Sequence, residues 1–269
     1  MRVTDQDIIV PDLPHDLTWA NFHEEDIDDL LRVGPVLIEF WDFARINSLR
    51  TMPYMEEWTR RYAPDGVTIL GVHSSGFSFG NDETTVRAAI ERLGIQRPIM
   101  LDPEFQLWRT FENRGWPARY LFGARGSLKY FHYGEGDYEE CELTIQEVLR
   151  ELDAAAELPE ALIEPVRPED APGAEMPPQT ADLQLPEGTE RLKVKGTWDQ
   201  DEDWIQSTKA GDRVSIKCEA GSAWAVLSGE GVDYPGLHKV KIDAGKATVE
   251  APGPGLRLHG FQFTPVPPA

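Results

Sequence analysis

Seven prolines fall between Ala156 and Pro186 (Pro159, Pro165, Pro168, Pro172, Pro177, Pro178 and Pro186), mixed with Glu, Ala and Gln. Each fixes φ and removes a backbone donor, so the stretch suits neither a helix nor a central strand. It predicts an extended linker, free or draped over a neighbour, between two folding units. A chain of 269 residues suits two units at about 150 residues each. The expected boundaries are a first domain over 1–155, a linker over 156–186 and a second domain over 187–269. Residue usage shifts across the linker: Lys129 is the one lysine before it, and seven follow.

The chain is 41% hydrophobic and 27% charged, enough apolar material for ordinary globular cores. No run approaches the roughly 20 apolar residues that span a bilayer. Met1 to Asp7 has neither the basic start nor the apolar run of a secretory signal, so the expected compartment is the cytoplasm. Lys+Arg 26 against Asp+Glu 47 leaves a net charge of −21. Such a surface repels phosphate backbones, and no basic run offsets it. Nucleic acid and anionic membrane are therefore not expected partners, and the plain reading of the acidity is solubility. The two cysteines, Cys141 and Cys218, form no CxxC pair, zinc spacing or disulfide framework. No metal or cofactor is expected.

Before the linker, strand and helix signals alternate. Val36 to Phe40 and Val67 to Val72 read as buried strands, and Ile99 to Leu101 as a brief one. Met52, Met55, Trp58 and Tyr62 share one helical face, and Thr84 to Leu93 is amphipathic and stops at Gly94. Phe105 to Asn113 also reads as helix. Arg119 to Phe122 and Leu128 to His132 bracket Gly123 to Ser127 as a hairpin, and Leu143 to Leu152 supplies a last helix. This order predicts a three-layer α/β domain. After the linker the candidates are short strands: Leu192 to Lys195, Arg213 to Lys217, Trp224 to Leu227, Val240 to Ile242, Ala247 to Val249 and Leu256 to Phe263. Glycine-bearing turns separate them, which predicts a small antiparallel β-sandwich, jelly-roll-like in kind.

After the first strand runs Trp41-Asp42-Phe43-Ala44-Arg45-Ile46-Asn47-Ser48-Leu49-Arg50-Thr51-Met52-Pro53-Tyr54. It resembles the active-site segment of thioredoxin-like proteins of the TlpA and DipZ-like group, where Phe-Trp is followed by an aromatic, Cys-Ile-Asn-Cys and Arg-Thr-Leu-Pro-Tyr. Gly71-Val72-His73, Leu101-Asp102, Trp116 to Leu121 and Tyr133 to Glu140 match the same group in order. The resemblance covers most of residues 15 to 152 and implies the thioredoxin-like fold. The second domain resembles, more weakly, the β-sandwich that follows this domain in DipZ-like proteins, through Gly196-Thr197-Trp198 and Pro254 to Leu258.

The departure carries the functional expectation. Arg45 and Ser48 stand where the group has its two cysteines. Thiol–disulfide exchange needs one thiolate to attack sulfur and a second thiol to resolve the mixed disulfide. Serine does not ionise usefully near neutral pH, and arginine is no nucleophile. The expected protein is therefore redox-inactive and has no catalytic residues at these positions. In the group, the first cysteine sits at a helix N-terminus that stabilises its thiolate. Two roles are open to Arg45 there: a grip on an anion or carboxylate, or an exposed side chain that points away or pairs with Asp42. Ser48 is expected to pack or to bond backbone.

Pro117 matches the group's cis-proline, whose preceding backbone is free to pair with an extended peptide. It is retained either because the fold needs the turn or because the groove still binds polypeptide. The expected groove is lined by Trp41, Phe43, Arg45, Ser48, His73, Trp116 and Pro117, with His73 at its edge or packed. A protein or peptide partner is thus expected, and the protein reads as a binding or scaffold protein.

Two rival readings stand beside this one. Cys141 begins the expected last helix, where a helix N-terminus lowers a thiol pKa, and could serve a thiol-dependent oxidoreductase or peroxidase. Glu139, Glu140 and Glu142 around it oppose a thiolate. Trp204, Trp224, Tyr234 and His238, with Trp198, resemble the aromatic platforms of sugar-binding sandwiches, although a small core itself needs two or three aromatics. Cys218 reads as a small core hydrophobe. The acidic cluster Glu24-Glu25-Asp26 with Asp28-Asp29 reads as a helix cap and solvated face, without calcium-loop glycine spacing.

Overall fold

Val36–Trp41 is apolar except for Glu39, a composition that suits a strand covered on both faces, and all six residues are buried. The computed structural model describes residues 1–3, 8–11, 13–14, 17–22, 34–161, 165–171 and 173–267. Contacts divide the chain into two units. The first comprises Met1–Asp42, Asn47–Ser75 and Gly80–Val166; the second comprises Phe43–Ile46, Gly76–Phe79 and Arg167–Ala269. The acidic cluster at Glu24 to Asp29 lies outside the described residues.

In the first unit the elements run β1 (Thr18–Ala20), β2 (Val36–Trp41), α1 (Ile46–Tyr62), β3 (Thr68–His73), α2 (Glu83–Leu93), β4 (Ile99–Leu101), α3 (Gln106–Thr110), β5 (Ala118–Phe122), β6 (Leu128–Tyr133) and α4 (Tyr138–Leu152). They build a six-stranded sheet of order β1-β4-β3-β2-β5-β6. The β2–β3 and β3–β4 pairs are parallel, and β1–β4, β2–β5 and β5–β6 are antiparallel. Successive residues of β2 feed two cores, as a period of two requires. Val36, Ile38 and Phe40 join Leu70, Val72, Met100, Tyr120 and Leu107 of α3. Leu37 joins Met55 and Trp58 of α1 and Cys141, Ile145 and Leu149 of α4. This is the thioredoxin-like three-layer α/β arrangement.

The helix signals are legible in detail at α2. Asp82 caps it by accepting the Thr85 N–H at 2.8 Å, and Gly94, at φ 70°, closes it in the left-handed region. Two other helices differ from expectation. α3 is shorter than Phe105 to Asn113, because Phe105 and Glu112 take φ of 57° and 48° and break the helix at either side. α4 starts five residues before Leu143, and its added turn buries Tyr138, Cys141 and Glu142.

In the second unit the strands are β7 (Leu183–Gln184), β8 (Leu192–Lys195), β9 (Trp198–Gln200), β10 (Ile205–Ser207), β11 (Arg213–Lys217), β12 (Ser222–Gly229), β13 (Gly236–Val240), β14 (Ile242–Asp243), β15 (Lys246–Glu250) and β16 (Leu256–Thr264). One sheet has the order β13-β12-β16-β10-β9, with β7 also on β16; the other is β14-β15-β11-β8. All these pairs are antiparallel, and the inner faces share one core through Val214, Ile216, Ala223, Ala225, Leu258, Phe261 and Phe263. The expected strand Val240 to Ile242 is two strands, split at Lys241.

The division of the chain differs from the boundaries drawn on composition. It falls between Val166 and Arg167, inside the proline-rich stretch. Leu183 and Leu185 at the end of that stretch are core residues of the sandwich, and β7 pairs with Gly260 and Phe261. The second unit also takes in two short segments from the first half of the chain. Hydrophobic Leu183 and Leu185 alternate with Gln184 as a strand does, a signal the surrounding prolines mask.

Candidate functional site

The segment that matches the family's dithiol loop connects β2 to α1. A helix leaves its first N–H groups without intrahelical partners. At the start of α1 the Ile46 N–H donates to Gln262 Oε1 at 2.7 Å, and Gln262 Nε2 donates back to the Ala44 carbonyl at 2.8 Å. One side-chain amide of β16 therefore satisfies a helix donor and a loop acceptor together. Gln262, Ala44 and Ile46 are all buried, where an unmade hydrogen bond is costly.

Arg45 is half-buried beside this amide. Its Nη2 donates to Gln184 Oε1 at 2.5 Å, and Gln184 Nε2 donates to the Gly76 carbonyl at 2.9 Å. The guanidinium carbon lies 4.7 Å from the centre of the Phe77 ring, a cation–π distance. A Cβ on Gly76 would strike the guanidinium, so this approach requires glycine there. Ser48 is buried in the first turn of α1, and its Oγ accepts the Asp42 N–H at 3.2 Å. It bonds backbone, as expected of it.

Phe43 is buried, with its ring 5.9 Å from Phe79. Phe77 and Phe79 stack on each other, and both meet His259 edge-on. His259 Nε2 lies 2.8 Å from Ser228 Oγ, and its Nδ1 lies 3.4 Å from Asp203 Oδ2, which also accepts the Ser78 N–H. The atom order Ser–His–Asp is that of a hydrolytic triad. Ser228 is buried. Burial holds the His259 pKa below its ordinary value, against the pull of Asp203. The chain anchors the two phenylalanines.

The remaining groove candidates belong to the first unit. Trp41 is buried and meets His73 edge-on at 5.2 Å. His73 is buried, its Nε2 3.7 Å from Asp42 Oδ1, and it lines a cavity of about 380 Å³ with Glu83, Asp102, Glu104 and Gln106. Asp102 is spent on structure: it accepts from Ser74 Oγ and from the Leu107 and Trp108 N–H groups. Pro117 is buried and its bond to Trp116 is cis. Trp116 is half-buried, donates from Nε1 to the Ser74 carbonyl at 2.8 Å and lies 4.4 Å from Trp108. Of the seven expected groove residues, then, Arg45 and Trp116 alone keep appreciable exposed surface.

The two cysteines sit in separate cores. Cys141 has no exposed surface, and burial pushes its thiol up to about 12. That corrects the reason expected for its inertness. Burial outweighs the carboxylates, of which Glu142 and Asp137 add to the shift while Arg119 opposes it. Cys218 is buried one residue past β11, and burial raises its pKa too.

The proposed sugar platform is not one surface. The β12–β13 register sets Trp224 opposite Lys239 and Ala225 opposite His238, so Trp224 and His238 lie on opposite faces. Tyr234 and His238 stack at 4.6 Å, while Arg257 lies over Trp204 and Lys239 over Trp224. The residues that sequence reasoning missed are Gln184, Gln262, Asp203, Ser228 and His259. In Leu-Gln-Leu and Phe-Gln-Phe the glutamines read as solvent-facing positions of alternating strands, and no local signal marks their partners.

The fold defines a class, thioredoxin-like, and Arg45 and Ser48 stand where the resemblance places a pair of cysteines. The chain's homologues are DipZ and TlpA-like thiol–disulfide oxidoreductases. The chain is 33% identical over 172 residues to protein DipZ of Mycobacterium bovis, a match to 63% of this chain and 25% of that protein. It is 28% identical over 142 residues to the thiol-disulfide oxidoreductase YkuV of Bacillus subtilis, covering 53% of this chain and 95% of YkuV. A solved thiol-disulfide isomerase from Corynebacterium glutamicum superposes with a TM-score of 0.46 at 21% identity, covering 52% of this chain and 96% of that one. The chain thus spans a quarter of the length of the DipZ proteins it matches. No protein-family model matches it. Among the described residues no helix is long and apolar enough to cross a membrane.

Proposed function

We propose that this chain is a thioredoxin-like binding protein that does not exchange disulfides. The observation that carries the reading is the fate of the dithiol loop. Arg45 and Ser48 stand at the sulfur positions, and the helix N–H at Ile46 is bonded to a neutral amide of Gln262. The two thiols that the chain does have are buried and held protonated, which removes support from a peroxidase-like role for Cys141. For the partner, a protein or peptide, the half-buried rings of Phe105, Trp108 and Trp116 next to Pro117 offer apolar contact. The cavity beside them, with Glu83 and Glu104 on its rim, favours a basic side chain.

The test is insulin reduction by dithiothreitol with the purified chain. The expected rate equals that of buffer, and a rate that disappears in Cys141→Ser overturns the reading. Ellman's reagent should find no reactive thiol in the folded chain and both cysteines after unfolding. Affinity capture by wild type and by Trp116→Ala addresses the contact surface. Loss of captured proteins is expected, and identical sets overturn that part.

A further inference from the structure

The sheet β14-β15-β11-β8 ends at β8, which has a paired neighbour on one side alone among the described residues. Its register against β11 sets Leu192 opposite Ile216, Lys193 opposite Ser215, Val194 opposite Val214 and Lys195 opposite Arg213. Opposed residues share a face. Leu192 and Val194 therefore lie on the core side with buried Ile216 and Val214, and Lys193 and Lys195 lie on the outer side. The outer side continues through Lys217 opposite Lys246, with Asp243 opposite Lys246 from β14, and through Arg213 opposite Glu250. Arg213 spends its charge on Glu250 at 2.7 Å, while Lys193, Lys195, Lys217 and Lys246 make no salt bridge among the described residues. A cationic face thus stands on a chain whose net charge is −21.

Two further observations concern the edge itself. Val194 is 45% exposed although its side chain belongs to the core side, so the outer margin of β8 leaves it uncovered. A cavity of about 540 Å³ opens where β8 begins, bounded by Thr180, Glu190, Leu192, Ile216, Lys217 and Lys246. An open strand edge offers unpaired N–H and C=O groups, and lysines on it repel a second edge of the same kind. The same charges admit an edge of opposite sign.

We propose that β8 is a docking edge for an extended acidic polypeptide segment in which acidic and apolar residues alternate. Its main chain pairs with Leu192–Lys195 as an added strand. Its carboxylates lie beside Lys193 and Lys195, and its apolar side chains cover Val194, since directly opposed side chains come within about 5 Å. This edge belongs to the second unit and Trp116 to the first, and the two proposals rest on different observations.

The experiment titrates the full chain with a labelled peptide of alternating glutamate and valine, about eight residues long. Controls are a peptide of the same composition with its glutamates in one block, a fully N-methylated copy, and anionic phosphatidylserine vesicles. The alternating peptide is expected to bind and to slow amide exchange at Leu192–Lys195. Lys193→Glu with Lys195→Glu should weaken it about tenfold or more, the range for losing close charge pairs, and the N-methylated copy should not bind. Equal binding of the blocked or N-methylated peptide overturns strand addition, because charge alone then suffices. Indifference to charge reversal, absence of binding by the alternating peptide, or lysine-dependent binding of the vesicles alone overturns the proposal.

Discussion

Gln262 holds the start of α1 through both atoms of its side-chain amide. In an active dithiol loop the helix N-terminus stabilises a thiolate; here the Ile46 N–H is bonded to an uncharged carbonyl of an amide that also holds Ala44. Gln262→Ala strips both partners in a buried place, so urea unfolding should report a loss of about 1–3 kcal/mol. Gln262→Glu keeps the acceptor for Ile46 and should lose less. A second residue-scale case lies in the first unit, where Arg97 Nη2 meets Glu39 Oε2 at 2.7 Å with both side chains fully buried. Nη1 of the same arginine meets Glu56 at 2.7 Å. Arg97→Ala leaves Glu39, whose pKa burial already raises, without that partner in a buried place, and should cost about 3–5 kcal/mol in the same measurement. Replacing Arg97 by Met together with Glu39 by Leu should recover part of it, because the stranded carboxylate is then gone.

At the scale of elements, β7 is the piece whose place rests on a single glycine. Gly260 of β16 pairs with Gln184, and a Cβ there would run into the Leu183 backbone carbonyl, which cannot swing aside as a side chain can. Gly260→Ala should therefore push β7 from its sheet at about 1–3 kcal/mol, the usual cost of overpacking. Hydrogen exchange at the Leu185 N–H, bonded to the His259 carbonyl at 2.8 Å, is the readout. Unchanged protection there would show that β7 has another anchor. The element boundaries also show what periodicity reaches. β2, α2 and β11 are legible because apolar spacing or an Asp–Gly cap pair marks them. β7, β9 and β10 are two or three residues long, too short for a period to declare itself.

For the whole molecule, pH tests how histidines are built in. Burial lowers the pKa of His132 and of His259 below the ordinary 6.5. Above that value both are neutral folded and unfolded, and their contribution does not change. As pH falls through 6.5 the unfolded chain takes protons first, so stability falls until the lowered folded values are passed. Between pH 7 and 5 the urea midpoint should therefore drop, above the range where ordinary carboxylates titrate. His132→Gln should flatten part of the drop. A drop that His132→Gln leaves unchanged would contradict the lowered pKa of that ring.

Local information reached far along this chain. Apolar spacing and turn residues declared the strand–helix alternation and the sandwich, and Arg45 and Ser48 put no sulfur where the resemblance places two cysteines. Those are properties of neighbours in sequence, so they can be read without coordinates. Tertiary structure decided the rest: that Phe43–Ile46 and Gly76–Phe79 go with the second unit, that Gln262 reaches Ile46 from 216 residues away, and that Cys141 lies in a core. A hydrogen bond between residues so distant leaves no period or composition in either segment. Its stability comes from burial that exists only once both segments have folded around it.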